Sequence, residues 1–169
     1  VNDLVDTRDG TIKYYDRTMK DAHKGGDGII PLWQAFAISS NVGISSVINE
    51  NYKKDQTKFL KGIKRLGLGE KLGFKIKGEG RPYVKTTADS TWSGISIPWM
   101  SIGYETRFTP LQILTFYNAV ANGGEMVKPQ FVKEIRDGSV VVYKSEVEVL
   151  NSSICSKKTI KNAQFLLEK

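Results

Sequence analysis

Apolar residues repeat at helical spacing on both sides of a short polar break near position 40. Leu32, Ala35, Phe36 and Ile38 form one apolar face after Pro31, which is predicted to occupy the first helical position. Helical spacing resumes over residues 42–51. The pattern therefore predicts two consecutive helices joined by a junction at 39–41.

Residues that begin and end helices mark further segments. Asp55 is predicted to cap a helix that stops at Gly67, and Thr109 with Pro110 is predicted to begin one that ends at 122–123. Ser156 is predicted to cap a terminal helix. A shorter helix is expected over 96–104, entered at the proline of position 98.

Turn residues predict strands between and around these helices. Asp9-Gly10 lies between two apolar runs and predicts a hairpin or an extended excursion over 3–20, while Asp137-Gly138 predicts a second hairpin between 129–136 and 139–143. Segment 67–85 is glycine-rich and basic, which is typical of a loop with at most short strands. Together these elements predict an α+β fold that is rich in helices.

Composition fits one unit with its own core, since the chain has 169 residues and is 40% hydrophobic. The uncharged stretches 28–49, 90–104 and 108–124 contain too many polar residues and prolines for bilayer-exposed helices, so they are predicted to be buried elements or cleft walls. A single cysteine, Cys155, excludes an intrachain disulfide.

The net charge of +7 raises the question of nucleic-acid binding. Residues 53–85 hold eleven Lys or Arg against three acids, so the excess charge is local. On the predicted helix after Asp55, however, the lysines occupy the face opposite the apolar stripe. That arrangement is typical of a solvated face, and nothing in the segment adds groove-reading elements. Nucleic acid is therefore not expected as a partner.

The candidate chemistry lies at the junction, where Ser39-Ser40-Asn41 places a hydroxyl two residues before a carboxamide. Backbone strain at such a junction could direct both groups into a cleft. Serine and asparagine are also the residues that cap helices best, so a purely structural role for Ser39 and Asn41 is the competing interpretation. Capping is the commoner role of this tripeptide pattern when it stands alone.

Six segments form a set that spans most of the chain: Asp21-Ala22-His23, 30–41, Gly67-Leu68-Gly69, Ser101-Ile102-Gly103-Tyr104, Thr109-Pro110-Leu111-Gln112 and Ala121-Asn122-Gly123-Gly124. Together they resemble the transpeptidase domain of penicillin-binding proteins, most closely the class B enzymes, with the cell-division type favoured. Of the three active-site motifs of this family, S-x-x-K, S-x-N and K-T-G, only the second occurs here. None of the thirteen serines is followed three residues later by lysine.

The resemblance therefore implies that residues 1–169 are the middle part of a transpeptidase domain of the serine β-lactamase and penicillin-binding-protein fold. The Ser-x-x-Lys region is expected before residue 1 and the Lys-Thr-Gly strand after residue 169. The chain alone is then expected to be inactive. Phe165, Leu166 and Leu167 of the terminal helix would lie uncovered, so self-association is expected.

The activity implied by the resemblance is serine acyl transfer on the D-alanyl-D-alanine end of a peptidoglycan stem peptide, with β-lactams acylating the same serine. Ser39 would relay a proton and Asn41 would hold the acyl-side amide of the substrate. No metal or organic cofactor is implied. The parent protein is expected to be membrane-anchored and to act at the extracytoplasmic face of the bacterial inner membrane.

Two alternatives remain open at this point, a non-catalytic relative and a helical scaffold in which Ser39 and Asn41 are only caps. A non-catalytic relative that kept the fold as a binding or sensing module would have the same sequence in this region. A metal site at Asp21, His23 and Asp27 is disfavoured, because hard ligands in one loop without a second imidazole or a thiolate cluster are weak evidence.

Overall fold

Helices and short strands alternate along the chain in the computed structural model, which describes residues 1–74 and 77–169. The helices of these residues are α1 Leu32–Ala37, α2 Asn41–Tyr52, α3 Gln56–Arg65, α4 Ser96–Met100, α5 Pro110–Ala121 and α6 Lys157–Leu167. The strands are β1 Leu4–Asp6, β2 Thr11–Tyr14, β3 Arg17–Lys20, β4 Ile29–Pro31, β5 Tyr83–Val84, β6 Thr106–Arg107, β7 Met126–Val127, β8 Glu134–Asp137, β9 Val140–Lys144 and β10 Val149–Asn151. The predicted α+β class is confirmed.

Three of the longer helices begin at the capping residues that the sequence predicts. The side chains of Asp55, Thr109 and Ser156 each accept a hydrogen bond from the backbone N–H three residues later. At the start of α5 the Gln112 side chain accepts a bond from the Thr109 backbone N–H in return, which completes a capping box. Gly67 follows α3 with φ of +77° and ends it, as predicted.

The predicted hairpin around Asp9-Gly10 is wrong. Strand β1 pairs antiparallel with β4, whereas β2 pairs with β3 across a turn at Tyr15-Asp16. The Asp9 carboxylate accepts bonds from the N–H and the hydroxyl of Thr11, so Asp9-Gly10 forms a local turn that leads the chain from one ladder into the next. A turn signal in the sequence does not specify which strands it joins.

Smaller differences concern element boundaries. Pro31 is the N-cap of α1 and also ends β4, so it precedes the first helical position. Helix α4 begins at Ser96 and ends at Met100, and the last residues of the predicted 96–104 helix form turns. Within segment 67–85 the described residues contain one short strand, β5, as predicted, and residues 75–76 lie outside the described residues.

The hairpin predicted at Asp137-Gly138 is confirmed. Strands β8 and β9 pair antiparallel across it, with Gly138 at φ of +58°. Much of this hairpin is exposed, including the apolar side chains of Val140 and Val142. The ladder contains one register irregularity, between Ile135 and Arg136.

Two small apolar cores each include a residue of α2 or pack against one. Ile12, Tyr14, Met19 and Val42 form one core, with Trp99 of α4 packed against it. The other core joins β1 and β4 to α1. A third core, Ala119, Val120, Met126, Ile154 and Ile160, joins α5 to α6 and is remote in sequence from the first two.

Helices α1 and α2 approach each other closely at Gly43. A Cβ atom placed on Gly43 would lie 3.0 Å from the Ala35 Cβ and 3.3 Å from the Thr7 methyl carbon. Glycine therefore permits the close approach that fixes the α1–α2 junction, where the candidate chemistry lies.

Candidate active site

Ser39 adopts a backbone conformation that non-glycine residues seldom adopt. Its φ is +56°, and its N–H donates to the Phe36 carbonyl at the end of α1. The next N–H, that of Ser40, donates to the Ala35 carbonyl at 2.9 Å. A left-handed serine costs about 1–2 kcal/mol relative to a relaxed backbone, and such strained residues concentrate at functional sites. The strain expected at the junction is therefore present at Ser39.

The residue that caps α2 is Ser40. Its Oγ accepts a hydrogen bond from the Gly43 N–H and donates to Asp21 Oδ2, both at 2.9 Å. The Ser40 side chain is buried, whereas Ser39 is exposed. Within residues 1–74 and 77–169, no group hydrogen-bonds the Ser39 hydroxyl. The Ser39 hydroxyl does not cap α2 and is available to a ligand.

Asn41 is the first residue of α2, and its carboxamide is tied to the preceding hairpin. One N–H of its Nδ2 donates to the Lys20 carbonyl at 2.8 Å. A carboxamide has two N–H donors and one acceptor oxygen, so one donor and the oxygen have no partner among the described residues. The contact with Lys20 holds the Asn41 side chain in one orientation.

Asp21 binds the junction from the end of β3. Its Oδ2 accepts from the Ser40 hydroxyl, and its Oδ1 accepts from the Val42 N–H at 2.9 Å. The Asp21 backbone N–H in turn donates to the Gly10 carbonyl. In the sequence, Asp21 stands out only through the family resemblance and as a disfavoured metal ligand. A side chain 19 residues before its hydroxyl partner leaves no local pattern from which the bond could be inferred.

The loop that follows Asp21 is held against the N-terminal segment. Thr7 is fully buried, its hydroxyl donates to the Gly28 carbonyl at 3.0 Å, and the same oxygen accepts from the Asp27 N–H. Gly26 has φ of +60°, and a Cβ there would lie 2.3 Å from the Arg8 carbonyl oxygen. Only glycine permits this approach, which fixes the loop over 21–28 beside the junction.

A shallow depression of about 460 Å³ lies between this loop and the end of α1. Asp21, His23 and Asp27 line it from the loop, and Ser39 and Ser40 line it from the junction. Asn41 does not line it. Of the two predicted site residues, the structure therefore places Ser39, and not Asn41, at this depression. In the described part of the chain, no group of three or more His, Cys, Asp or Glu residues is placed to hold a metal ion.

Beneath the junction, Tyr14 supports α2 through a buried hydrogen bond to Ser45, with 3.0 Å between the two oxygens. Burial raises the pKa of the Tyr14 phenol above its usual range, and the hydrogen bond from Ser45 opposes this only in part. Tyr14 therefore stays neutral under physiological conditions.

None of the helices in the described ranges, 1–74 and 77–169, has the length and apolar content needed to span a membrane.

Comparison with known proteins gives a consistent assignment. Residues 1–169 match the family model described as the penicillin binding protein transpeptidase domain. Penicillin-binding protein 2A of Bacillus subtilis strain 168 is 34% identical over 106 residues, which cover 59% of this chain and 14% of that protein. Stage V sporulation protein D of the same strain is 27% identical over 156 residues, which cover 86% of this chain and 22% of that protein.

Penicillin-binding protein PbpB of Mycobacterium tuberculosis is 28% identical over 124 residues, covering 73% of this chain and 18% of that protein. The chain thus spans less than a quarter of the length of these three relatives. The match to the family model, by contrast, extends over the whole of the chain.

Solved structures share the fold. A peptidoglycan glycosyltransferase from Burkholderia ambifaria superposes with a TM-score of 0.77 at 20% identity, covering 99% of this chain and 48% of that one. Penicillin binding protein 3 from Mycobacterium tuberculosis, complexed with ampicillin, gives a TM-score of 0.73 at 24% identity. The superposition covers 97% of this chain and 34% of that one. At these identities the likeness establishes the fold and leaves the chemistry to the site residues.

Proposed function

Because the chain belongs to the penicillin-binding protein transpeptidase domain family, we propose that it is part of a peptidoglycan D,D-transpeptidase that crosslinks stem peptides through a serine acyl-enzyme. The observation that carries the proposal is Ser39: its backbone is strained, and its hydroxyl takes no part in capping the helix that follows. A hydroxyl held at such a cost beside a depression is suited to proton transfer rather than to structure.

In the proposed first step, a serine from a Ser-x-x-Lys motif of the complete domain attacks the carbonyl carbon of the penultimate D-alanine. The bond from that carbon to the terminal D-alanine nitrogen breaks, and an ester forms. The proton of the attacking serine passes to the motif lysine and through Ser39 to the departing amine. A hydroxyl suits this relay because it donates and accepts at once.

In the second step, an amine of a neighbouring stem peptide attacks the ester and forms the crosslink, and the serine recovers its proton. Asn41 would hold the acyl-side amide of the donor peptide with the free N–H and oxygen of its carboxamide. Its bond to the Lys20 carbonyl supports this role, since a fixed carboxamide loses little conformational freedom when substrate binds.

We extend the proposal to inhibitors and to location. Penicillin binding protein 3 of Mycobacterium tuberculosis has been solved with ampicillin and with aztreonam. A β-lactam presents a strained amide in place of the D-alanyl-D-alanine bond, so we expect it to acylate the same serine of the complete domain. Crosslinking of stem peptides places the parent at the extracytoplasmic face of the bacterial inner membrane, anchored there, with a role in cell division favoured.

Covalent labelling tests the proposed function. The complete protein should be labelled by a fluorescent penicillin and should release D-alanine from a pentapeptide substrate. The 169-residue chain alone should remain unlabelled, because none of its serines lies in Ser-x-x-Lys. Gel fluorescence after denaturation measures the labelling of the complete protein and of the 169-residue chain, and an assay of free D-alanine measures its release. A labelled serine within the chain would contradict the assignment of roles, and an unlabelled complete protein would favour the non-catalytic binding module.

The chain alone is also expected to self-associate. Leu167 of α6 is exposed, Phe165 and Leu166 are half-buried, and Val140 and Val142 of β9 are exposed. Sedimentation velocity over a hundredfold range of concentration should show a rising sedimentation coefficient. Leu167→Lys should weaken the association if α6 forms the contact, and Val142→Lys should do so if β9 forms it. A concentration-independent monomer would contradict the expectation.

A further inference from the structure

We propose that Asp21 is a positioning residue for this site: its carboxylate sets the geometry of the Ser39–Asn41 junction and thereby the rate of acylation. The inference rests on the proposed function of Ser39 and Asn41. It goes further because it assigns a kinetic role to a residue that lies outside the S-x-N tripeptide and on a different element.

Both carboxylate oxygens of Asp21 accept hydrogen bonds from the same short segment of chain, residues 40–42. One accepts from the Ser40 hydroxyl and the other from the Val42 N–H, each at 2.9 Å. These two partners lie on either side of Asn41. The preceding residue, Lys20, accepts from the Asn41 carboxamide. The end of β3 thus makes three hydrogen bonds with three consecutive residues, 40–42, directly after Ser39.

These bonds are also favourable electrostatically. The Val42 N–H belongs to the first turn of α2, where backbone N–H groups have no partner within the helix. The sequence supplies no acidic residue in that turn. Asp21 provides the negative charge from another element, and charge-assisted bonds at a helix N-terminus are stronger than neutral ones.

Asp21 is itself held rigidly. Its N–H donates to the Gly10 carbonyl, and the adjacent ladder pairs Lys20 with Thr11. The close approach of Gly26 to the Arg8 carbonyl fixes the loop that follows. The backbone on both sides of Asp21 is therefore held in place, and its carboxylate holds residues 40–42 in one position relative to β3.

The left-handed backbone of Ser39 needs contacts on both of its sides to hold it in place. On its α1 side, Ser39 and Ser40 donate to carbonyls of α1, and on its α2 side the chain is tied to Asp21. A strained residue persists only when its surroundings over-determine it. Loosening the α2 side would let Ser39 relax and would move its hydroxyl away from the reacting groups.

The test uses Asp21→Asn in the complete protein, since asparagine keeps the shape but has one acceptor oxygen and so cannot accept from both partners. Acylation by a fluorescent penicillin at 25 °C should slow about 10–100-fold, the range in which a misplacement of about 1 Å acts. Asp16→Asn is the matched control. It removes the same charge from the β2–β3 hairpin, but its side chain is 80% exposed, so its acylation rate should equal the wild-type rate.

A double variant separates positioning from general stability. Once Ser39 is alanine, the position of its hydroxyl no longer matters, so adding Asp21→Asn should slow acylation by clearly less than it does in the wild-type background. Full multiplication of the two effects would overturn the positioning of the Ser39 hydroxyl by Asp21, and an Asp21→Asn rate equal to that of Asp16→Asn would overturn the whole proposal. Rates are taken per folded molecule, from the fraction that becomes labelled at completion.

The Ser39→Ala and Asp21→Asn rates separate the proposed function from the positioning role. If Ser39→Ala acylates at the wild-type rate, the proposed function of Ser39 is wrong. If Ser39→Ala is slow and Asp21→Asn is not, only the positioning role is wrong. Should Asp21→Asn not fold, Ser40→Ala removes the bond to Asp21 Oδ2, keeps the bond from the Val42 N–H to Oδ1, and loses the cap on Gly43. It should still slow acylation, by a smaller factor than Asp21→Asn, and an unchanged rate would overturn the proposal.

Discussion

Replacing Ser39 with alanine in the complete transpeptidase is expected to slow acylation by about two to four orders of magnitude, the usual contribution of a positioned acid–base group. The second-order rate constant for a fluorescent penicillin and the rate of D-alanine release measure this. Thermal stability should change little, by about 0.5 kcal/mol or less, because the Ser39 hydroxyl makes no hydrogen bond within the described residues and its side chain is exposed.

Helix α2, which follows the junction, supplies a control for this experiment. Ser46→Ala removes a hydroxyl of α2 that donates to the Gly43 carbonyl at 2.9 Å, and it should leave acylation unchanged. Asn41→Ala should slow acylation of both stem peptide and β-lactam, and it should also lower stability because it loses the bond to Lys20. If Ser39→Ala acylates at the wild-type rate, the assignment of Ser39 to the active site is wrong, and a wild-type rate in Asn41→Ala would contradict the assignment of Asn41.

Replacing Lys85 with methionine is expected to destabilise the fold by about 3 kcal/mol. The Lys85 Nζ lies 2.7 Å from Glu105 Oε1, and the two side chains are 8% and 21% exposed. Glu105 Oε2 is buried and, among the described residues, has no hydrogen-bond partner. Removing the lysine leaves an uncompensated buried carboxylate, which costs about 3–5 kcal/mol, and the partial exposure of Glu105 places the effect at the lower end.

Urea unfolding of the transpeptidase domain measures this loss. Lys128→Met is the control, because its partner Glu148 is 59% exposed and returns to water when the lysine is removed, so the expected loss is below about 1 kcal/mol. Methionine at both 85 and 105 should recover most of the stability, since no buried charge remains. Equal losses in the Lys85 and Lys128 variants would show that burial of the first pair contributes nothing.

The Lys85–Glu105 pair also joins elements that the sequence does not relate. The Lys85 N–H donates to the Glu105 carbonyl next to the pairing of β5 with β6. Glu105 has φ of +60°, so this junction, like that at Ser39, holds a non-glycine residue in a left-handed backbone.

The sequence by itself determined the local elements and the family. Caps at Asp55, Thr109 and Ser156 bind N–H groups three residues away, and the Asp137-Gly138 turn joins adjacent strands, so each signal and its consequence lie within one short segment. The order of motifs identified the transpeptidase family, which the match over residues 1–169 then established. It also indicated Ser39 and Asn41 as candidates, without distinguishing the two serines by their bonds.

Only the tertiary structure decided which strands pair and how the junction is held. The pairing of β1 with β4 joins residues more than 20 positions apart, and Asp21 reaches hydroxyl and amide partners 19 and 21 positions later. Such contacts depend on where the intervening chain folds back, through the Thr7 and Gly26 contacts. No periodicity in the sequence encodes them, because their partners belong to different elements. The left-handed backbone of Ser39 follows from these contacts and not from the preference of serine, which disfavours it.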